Sequence, residues 1–342
     1  MSCKYNWKNL AVSAGCLGIM ASGMFLCGFT GQNKDSNPSH YSPEGKPVVW
    51  FTSKISPEAV VFIYNCVNKE LPGKVAVKLH SGEDGNQNFL RPEFMKPIVE
   101  RVKGTVVECN TAYPGARNST EKHEKLMEKH GWSKVFAVDI LDDQGPDMVL
   151  PIFNGKWLDC NYVGRDMAKY DSMLVVSHFK GHAMGGYGGA LKQLSIGCAS
   201  TAGKSWIHSA GKTLDQTKAW NMLPEKNEYF LESMAESADS VMSYFRGNMA
   251  FINIMCNMSV DCDCAAKAEE PCLKDIGILG SVDPVALDKA CMDLIYSSKD
   301  PGREHFLERV HSRHGEHTID AAAERGLGQM EYEFINTDNA KG

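Results

Sequence analysis

The densest group of chemically useful side chains lies in a glycine-rich segment at residues 177–191. It contains Lys180 and His182, followed by Gly185 and Gly186, and it comes directly after a predicted strand. Glycines let backbone N–H groups approach an anion or a metal-bound ligand closely. Imidazole and ammonium groups can transfer protons, ligate metals or pair with anions. We therefore predict a functional loop in which Lys180 and His182 are catalytic and the two glycines contribute to binding.

A second segment is rich in cysteine. Cys256, Cys262, Cys264 and Cys272 follow a predicted strand, and Cys198 lies in an earlier motif. Thiolates that converge could hold a soft metal ion or an iron–sulfur cluster. The spacing leaves two alternatives open, disulfide pairing in an oxidising compartment and packing as free buried thiols. We take these five cysteines as candidate metal ligands.

Polar side chains also follow two earlier strands of the predicted sheet and occupy one later motif. They are Lys78, His80 and Glu83 after the second strand, Asn110, Tyr113 and Arg117 after the third, and Lys204 and His208 in the later motif. Loops at the carboxyl ends of parallel strands meet at one edge of a sheet, so we expect a shared crevice. There His80 and Glu83 would join the catalytic residues as general acid or base. The other residues of this set would bind substrate.

The elements that must position these residues alternate between strand and helix. Strands are predicted at residues 48–51, 74–79, 105–109, 172–177 and 249–255, and helices near residues 57–68, 93–102, 120–130, 225–244 and from 284 onward. Ser56 and Asp283 each precede a proline, which is typical of an N-cap followed by the first helical residue. This alternation indicates an α/β fold with a mostly parallel sheet flanked by helices. Without an obvious linker, residues 47–338 are predicted to form a single elaborated domain.

The amino-terminal segment has a different composition. Lys4 and Lys8 precede a stretch without charged residues at 10–30, and polar residues follow at 31–46. A short positive region before an apolar segment is typical of a secretory signal peptide, and the segment is also long enough for a membrane anchor. We therefore expect residues 1–30 to be a signal peptide or a membrane or lipid anchor, and 31–46 to be a flexible tether. The membrane would then be a partner of an exported, extracytoplasmic or membrane-anchored protein.

The overall composition limits the classes of partner. The chain has 342 residues with 43% hydrophobic side chains, which is sufficient for a sizeable core. Its 36 Lys and Arg against 42 Asp and Glu give a net charge of −6, so no broadly basic surface is expected. Nucleic acid is therefore excluded as the main partner. A small anionic ligand remains compatible with the local clusters of Lys, Arg and His, and protein partners stay open.

Several separated motifs resemble, in the same order, those of the family called Domain of Unknown Function 362. They are Val-Lys78-Leu-His80-x-Gly-Glu83, Asn110-Thr-x-Tyr113-x-Gly-x-Arg117, the run from Lys180-Gly-His182 to Lys192, Gly197-Cys-Ala-x-x-x-Gly-Lys204-x-x-x-His208, Cys262-Asp-Cys264 and Asp275-Ile-Gly-Ile-Leu-x-Ser-x-Asp283-Pro-Val-Ala. Members of that family are labelled uncharacterised iron–sulfur centre proteins. The resemblance implies a metal or cluster site, and a cytoplasmic location as the alternative to export. Typical members also carry a ferredoxin-like insertion after the Gly-Lys…His motif, and this chain lacks that insertion.

Three hypotheses for function follow. The first is a metal- or iron–sulfur-binding protein with a redox-linked role, in which the cofactor is a metal ion or cluster held by the cysteines. The second is an enzyme that acts on a small anionic substrate held by Lys180, His182 and Arg117. The third is a non-catalytic, exported binding protein in which the cysteines are paired.

Overall fold

Strands and helices alternate along the chain. The computed structural model describes residues 40, 42 and 44–339. The strands of this part are β1 Val48–Thr52, β2 Val75–Lys78, β3 Thr105–Glu108, β4 Val138–Ile140, β5 Met148–Pro151, β6 Cys160–Val163, β7 Ser172–His178, β8 Lys180–His182, β9 Gly186–Gly188, β10 Met249–Met255, β11 Gly277–Ser281 and β12 Glu333–Asn336. The helices are α1 Pro57–Val67, α2 Pro92–Val102, α3 Thr120–Lys129, α4 Trp132–Val135, α5 Ala190–Leu194, α6 Thr201–His208, α7 Gln216–Ala219, α8 Asn227–Phe245, α9 Pro284–Ser297, α10 Arg303–Ser312 and α11 His317–Glu324.

The main sheet has eight strands in the order β12-β1-β11-β10-β7-β2-β3-β4. Strand β11 is antiparallel to both of its neighbours. All other neighbouring strands of this sheet pair in parallel. The predicted α/β fold with a mostly parallel sheet is therefore confirmed, whereas the domain limits of 47–338 stay a prediction.

Helices cover both faces of this sheet. In β7, Met173 and Val175 belong to one hydrophobic cluster, and Leu174 and Val176 belong to the other. Successive side chains of a strand point to opposite faces, so a strand that is buried on both sides has a near-continuous apolar run, here residues 173–176. Helices α1, α2 and α4 lie on one face, and α5, α8 and α9 lie on the other. The result is a three-layer arrangement.

Two predicted helix starts are confirmed. The Ser56 hydroxyl accepts a hydrogen bond from the Ala59 N–H at 3.1 Å at the start of α1. The Asp283 carboxylate accepts hydrogen bonds from the N–H groups of Val285 and Ala286 at 2.9 Å at the start of α9. Each cap satisfies backbone donors that the first helical turn leaves without an intrahelical partner.

The glycine-rich segment, which the sequence predicts to be a functional loop, forms a short antiparallel hairpin. Strands β8 and β9 pair with Lys180 opposite Gly188 and His182 opposite Gly186. The two strands have only three residues each, which is too short for a visible alternation of apolar and polar residues. At Gly186 the backbone has φ of 75°, and a Cβ atom there would lie 2.8 Å from the Cα of Gly315. Glycine is required at this position.

The amino-terminal predictions fall outside the described part of the chain. Residues 1–30, and all but a few residues of the tether at 31–46, are not described. Among the described helices, none combines the length and the apolar character needed to cross a bilayer.

Four neighbouring parallel strands bring their carboxyl ends to one edge of the sheet. These strands lie in the order β10-β7-β2-β3. The segments that follow them, at residues 256–276, 179–189, 79–91 and 109–119, contain most of the residues singled out from the sequence.

Candidate functional site

A cavity of about 320 Å³ lies where these segments meet. Its wall contains imidazoles, cations and two cysteines, together with apolar side chains such as Ile196 and Trp220. The groups used below are His80, His182, His208, Arg117, Lys192, Lys204, Cys262 and Cys264. A concave site with an apolar lining and a few convergent polar groups is the usual form of a small-molecule site.

A buried ion-pair network lies at the carboxyl ends of β2 and β3, and only part of it lines the cavity. Lys78 is fully buried, and its Nζ lies 2.8 Å from Glu108 Oε2. The Arg117 guanidinium lies 3.3 Å from Glu83 Oε2 and 3.5 Å from Glu108 Oε1. Burial alone would raise the pKa of Glu108, but Lys78 and Arg117 outweigh burial and lower it to about 2. The two cations and the two carboxylates therefore neutralise one another.

A second buried network lies behind the cysteine-rich segment. The Asp263 carboxylate lies 2.7 Å from Lys180 Nζ and 3.0 Å from His178 Nδ1. Burial would raise the pKa of Asp263, but His178 and Lys180 hold it well below its usual value. Lys180 is thereby neutralised, and it is not part of the cavity wall.

Two lysines of the cavity wall have no carboxylate partner within the described chain. The Lys204 ammonium donates a hydrogen bond to the Ala199 carbonyl. The Lys192 ammonium has no hydrogen-bond partner among the described residues. Burial, reinforced by Lys180 and opposed in part by the more distant Asp263 carboxylate, lowers its pKa to about 7. An excess positive charge therefore faces the cavity. The part of it that Lys192 carries is lost when this ammonium deprotonates near neutral pH.

Backbone groups set the proton positions on His80 and His182. Nδ1 of His80 accepts the Gly82 N–H at 3.0 Å. Nδ1 of His182 accepts the N–H groups of Met184 at 3.2 Å and Gly185 at 2.8 Å. Burial, together with nearby cations, lowers the pKa of both imidazoles well below the usual value, so both are neutral. A neutral ring whose Nδ1 accepts carries its proton on Nε2, so both rings present an N–H donor.

His208 has the opposite tautomer. Its Nδ1 lies 2.7 Å from the Lys204 carbonyl, which can only accept, so Nδ1 carries the proton. Burial, with added repulsion from Lys192 and Lys204, lowers the pKa of His208 to about 4. Its Nε2 therefore carries a lone pair. The ring is held between Phe230, with centroids 4.9 Å apart, and Trp220 at 5.1 Å.

The cysteines of the Cys-Asp-Cys motif form a disulfide at the cavity wall. Cys262 and Cys264 are bonded to each other. Their sulfur atoms and a ring nitrogen of His182 lie within 4.8 Å of one another, so these three residues form a group that could hold a metal ion. The disulfide state does not fit a metal, because its sulfur atoms are not thiolates and the protonated Nε2 of His182 offers no lone pair. Reduction would release two thiolate ligands.

Comparison with known proteins identifies the family. Residues 75–293 match the family described as "Domain of unknown function (DUF362)". The chain belongs to this family. The match covers the four strand ends and every residue of the cavity wall named above.

Solved structures share only distant similarity with this DUF362 protein. The lactate racemase apoprotein from Thermoanaerobacterium thermosaccharolyticum is 12% identical, with a TM-score of 0.40 over 72% of this chain and 56% of that chain. A protein from Thermotoga maritima is 10% identical, with a TM-score of 0.37 over 79% of this chain and 59% of that one. The chain thus spans less than two thirds of the length of either protein. No curated protein matches.

The structure brings some predicted site residues of this DUF362 protein into the cavity wall and places others behind it. The residues in the wall are His80, Tyr113, Arg117, His182, Lys204, His208, Cys262 and Cys264. Those outside it are Lys78, Glu83, Asn110, Lys180, Gly185 and Gly186. Glu83 accepts hydrogen bonds from Ala116 N–H and Arg117. Asn110 bonds Thr120 and His123.

The other three candidate metal ligands do not join the Cys-Asp-Cys pair. Cys198, Cys256 and Cys272 are free thiols. Cys198 is buried and its Sγ lies 3.6 Å from the Gln193 carbonyl, and Cys272 Sγ lies 3.4 Å from the Met258 carbonyl. Among the described residues, the group that could share one ion contains none of these three. A site of four or five converging thiols is therefore not assembled.

Lys192 and Glu108 in the cavity wall, and Asp263 in the ion-pair network behind it, are residues that the sequence did not single out as site candidates. Lys192 closes the glycine-rich motif, three residues after Gly189 in α5. The feature that could have identified Lys192 is its position in the first turn of a buried helix that follows a glycine-rich hairpin. Glu108 is the last residue of a strand. Asp263 lies between two cysteines, where an aspartate is equally typical of a turn.

Proposed function

We propose that this protein is an enzyme that binds a small organic anion, such as a carboxylate, in the cavity and moves a proton on it. The observation that carries the proposal is the Lys192 ammonium, which faces the cavity with no carboxylate partner in the described chain. Lys192 is half-buried. A cation that is partly withdrawn from water without a counter-ion is costly, and an anionic ligand would supply that counter-ion.

The neighbouring groups are suited to holding the same anion. Lys204 supplies a second positive charge, and His80 and His182 supply N–H donors. Hydrogen bonds between cations and carboxylates are shorter and stronger than neutral ones. Apolar side chains such as Ile196 and Trp220 would exclude water from the bound ligand.

Proton transfer is assigned to Lys192, with His208 as its neighbour. A general acid or base works best with a pKa near the operating pH, and the pKa of Lys192 is about 7. The Nε2 lone pair of His208 can accept a hydrogen bond from the substrate or from the lysine. The sequence-based assignment of the anion to Lys180 and Arg117 is revised, because both are already paired with carboxylates.

The test is exchange of carbon-bound hydrogen in D₂O, followed by proton NMR. The protein is incubated with a panel of small carboxylates that includes hydroxy, oxo and amino acids. We expect protein-dependent loss of a C–H signal for at least one class and loss of this activity in Lys192→Met. Lys96→Met is the matched control, since the Lys96 side chain is half exposed on α2 and pairs with Glu100 in the same helix. Equal exchange by both variants would refute the role of Lys192. Binding without exchange would favour the non-catalytic binding protein.

The second candidate function is metal binding by the reduced Cys262 and Cys264. The observation in its favour is the closeness of both sulfur atoms to His182. Two thiolates in a shielded pocket suit a soft ion. The test is elemental analysis, with visible absorption, of protein purified anaerobically with and without reductant. Stoichiometric metal in the reduced wild type, lost in C262S/C264S and kept in C66S, would support it. Absence of iron, zinc, nickel and copper from the reduced protein would contradict it.

A further inference from the structure

We propose that Cys262–Cys264 is a redox-active disulfide that undergoes thiol–disulfide exchange with small thiols entering the cavity. This activity goes beyond the proposed proton transfer and does not depend on it. Four observations carry the inference: the size of the ring that the bridge closes, its position, the support of the loop around it and the difference between its two sulfur atoms.

The bridge contributes little to stability. It joins two cysteines separated by one residue. The stabilisation expected from a disulfide grows with the logarithm of the number of residues in the loop that it closes. For a loop this small, the expected stabilisation is near the lower end of the range for disulfides. The cysteine-rich segment is also held by hydrogen bonds and an ion pair that do not involve the bridge. A structural role therefore does not account for the bridge.

The position of the bridge makes it accessible to a ligand. Both cysteines form part of the cavity wall. The Cys262 side chain is 3% exposed, whereas Cys264 is partly exposed. A small thiol that enters the cavity can therefore reach Cys264, while a large protein surface cannot reach Cys262 directly.

The loop is held on both sides of the bridge. The Glu83 N–H donates to the Asp263 carbonyl at 2.8 Å. The Asn86 side chain donates to the Ala265 carbonyl at 2.8 Å, and the Asp263 carboxylate is fixed by its ion pair with Lys180. None of these contacts involves a sulfur atom. They would therefore persist after reduction and keep the two thiols close enough for the bridge to form again.

The two sulfur atoms differ in a way that sets the direction of attack. The Cys264 N–H donates a hydrogen bond to Cys262 Sγ at 3.2 Å. A donor to sulfur stabilises a departing thiolate, and the positive charge of Lys192 on the same wall favours it further. Cys264 is thus the accessible sulfur, and Cys262 is the better leaving group.

The exchange balances with a dithiol as the co-reactant. A thiolate of the dithiol attacks Cys264 Sγ, the Cys262–Cys264 bond breaks, and its electron pair passes to Cys262 as a thiolate. The second thiolate of the dithiol then attacks the mixed disulfide at the sulfur from the dithiol and releases Cys264. The dithiol is oxidised to its disulfide, the protein bridge is reduced, and the two protons of the dithiol end on the two cysteines.

The first experiment maps alkylation of the full-length, metal-chelator-treated protein by mass spectrometry. Without reductant, we expect Cys262 and Cys264 to be protected from iodoacetamide. After brief treatment with dithiothreitol under native conditions, both should be alkylated. Cys66 and Cys272 are partly exposed free thiols and serve as internal controls that label in both states. Protection of the pair that persists in dithiothreitol, or full labelling of the pair in aerobically isolated protein, would overturn the proposal.

The second experiment tests the asymmetry with glutathione disulfide as the probe. In C262S, Cys264 should form a mixed disulfide that adds the mass of one glutathione. In C264S, the buried Cys262 should form it about tenfold or more slowly. Equal rates in the two variants would overturn the assigned direction of attack. Neither readout follows carbon-bound hydrogen, so failure here is distinguishable from failure of the proton-transfer function.

Discussion

At the residue scale, the candidate site is defined by which of its cations form ion pairs with carboxylates. The sequence predicts that Arg117 and Lys180 bind an anion. In the structure, however, each lies within ion-pair distance of a buried carboxylate. Lys192 carries no such partner in the described chain. Its free ammonium is the group that an anion would meet.

Anion binding should therefore depend on the protonation of Lys192. Its pKa is about 7 in the folded protein, so the ammonium dominates below that pH and is lost above it. We expect the association constant for oxalate, which stays fully ionised, to fall by about tenfold for each pH unit above 7.5. Isothermal titration calorimetry between pH 6 and pH 9 measures this slope.

Two variants control this measurement. Lys192→Met should bind oxalate weakly with no slope, and Lys96→Met should retain the wild-type slope. A wild-type profile that is flat across this range would contradict the assignment of the free ammonium to Lys192.

Glu108 offers a test of the buried ion-pair network. Its partner Lys78 is fully buried, so removing the carboxylate charge in Glu108→Gln should cost about 3–5 kcal/mol of unfolding free energy at pH 7. The folded pKa of about 2 lies below the ordinary value of 4.5. The stabilisation is thus fully present above pH 4.5 and is lost as the pH falls through 2. Urea denaturation of both proteins should show the difference narrowing over this range.

The matched control is Glu100→Gln on the exposed part of α2. It should change the unfolding free energy by less than about 0.5 kcal/mol at any pH. A Glu108→Gln penalty that is independent of pH would show that the lost contacts, and not the charge, cause it.

At the element scale, one carboxylate joins the helix that carries Lys192 to the rest of the fold. Asp288 in α9 accepts hydrogen bonds from the N–H groups of Ala190 at 2.8 Å and Leu191 at 3.0 Å, at the start of α5. It also accepts one from Asn253 in β10 at 2.7 Å. A Cβ atom at Gly189 would lie 2.4 Å from Asp288 Oδ1, so this close approach requires glycine.

Asp288→Ala should therefore destabilise the protein by about 3–5 kcal/mol, because it leaves several buried donors without an acceptor. The same change should weaken oxalate binding, since the first turn of α5 loses the group that holds it. Chemical denaturation and calorimetry measure the two effects.

Asp293→Ala in the same helix is the comparison. Its carboxylate is 42% exposed, so the cost should be about 1 kcal/mol or less. Similar losses in both variants would rule out a special role for Asp288.

At the scale of the whole molecule, four parallel strands place loops from distant parts of the chain around one cavity. The disulfide at the wall is compatible with an oxidising compartment, where such bonds persist. We propose, from the composition of residues 1–30, that the chain is exported.

Fractionation of a bacterial expression host tests this proposal. The full chain should be found outside the cytoplasm or with the membrane, and a chain starting at residue 31 should remain in the cytoplasm. Replacing Lys4 and Lys8 with Gln should reduce export, while Lys96→Met should not. A full chain found entirely in the cytoplasm would contradict the proposal and favour the location of typical family members.

Much of the fold is determined by local sequence. The N-caps Ser56 and Asp283 satisfy backbone donors only a few residues away, so both helix starts could be predicted. The segment Met249–Met255 is apolar at every position except Asn253, and a run of this length identifies a strand that is buried on both faces. The three-residue strands of the glycine-rich hairpin could not be found in this way, because pairing between two short segments forms them.

The sequence also determined which residue types gather at the strand ends, and the family motifs that contain them. Only the tertiary structure decided which of these groups are free to act. Glu83 reaches Arg117 from the loop after β2, and Asp263 reaches Lys180 from the loop after β10, so the order of the strands in the sheet decides both contacts. Opposite charges neutralise each other when they lie within a few ångströms in space, and the order of residues along the chain does not give those distances. For this reason the sequence could name most of the cations, but only the fold shows that Lys192 and Lys204 have no carboxylate partner among the described residues.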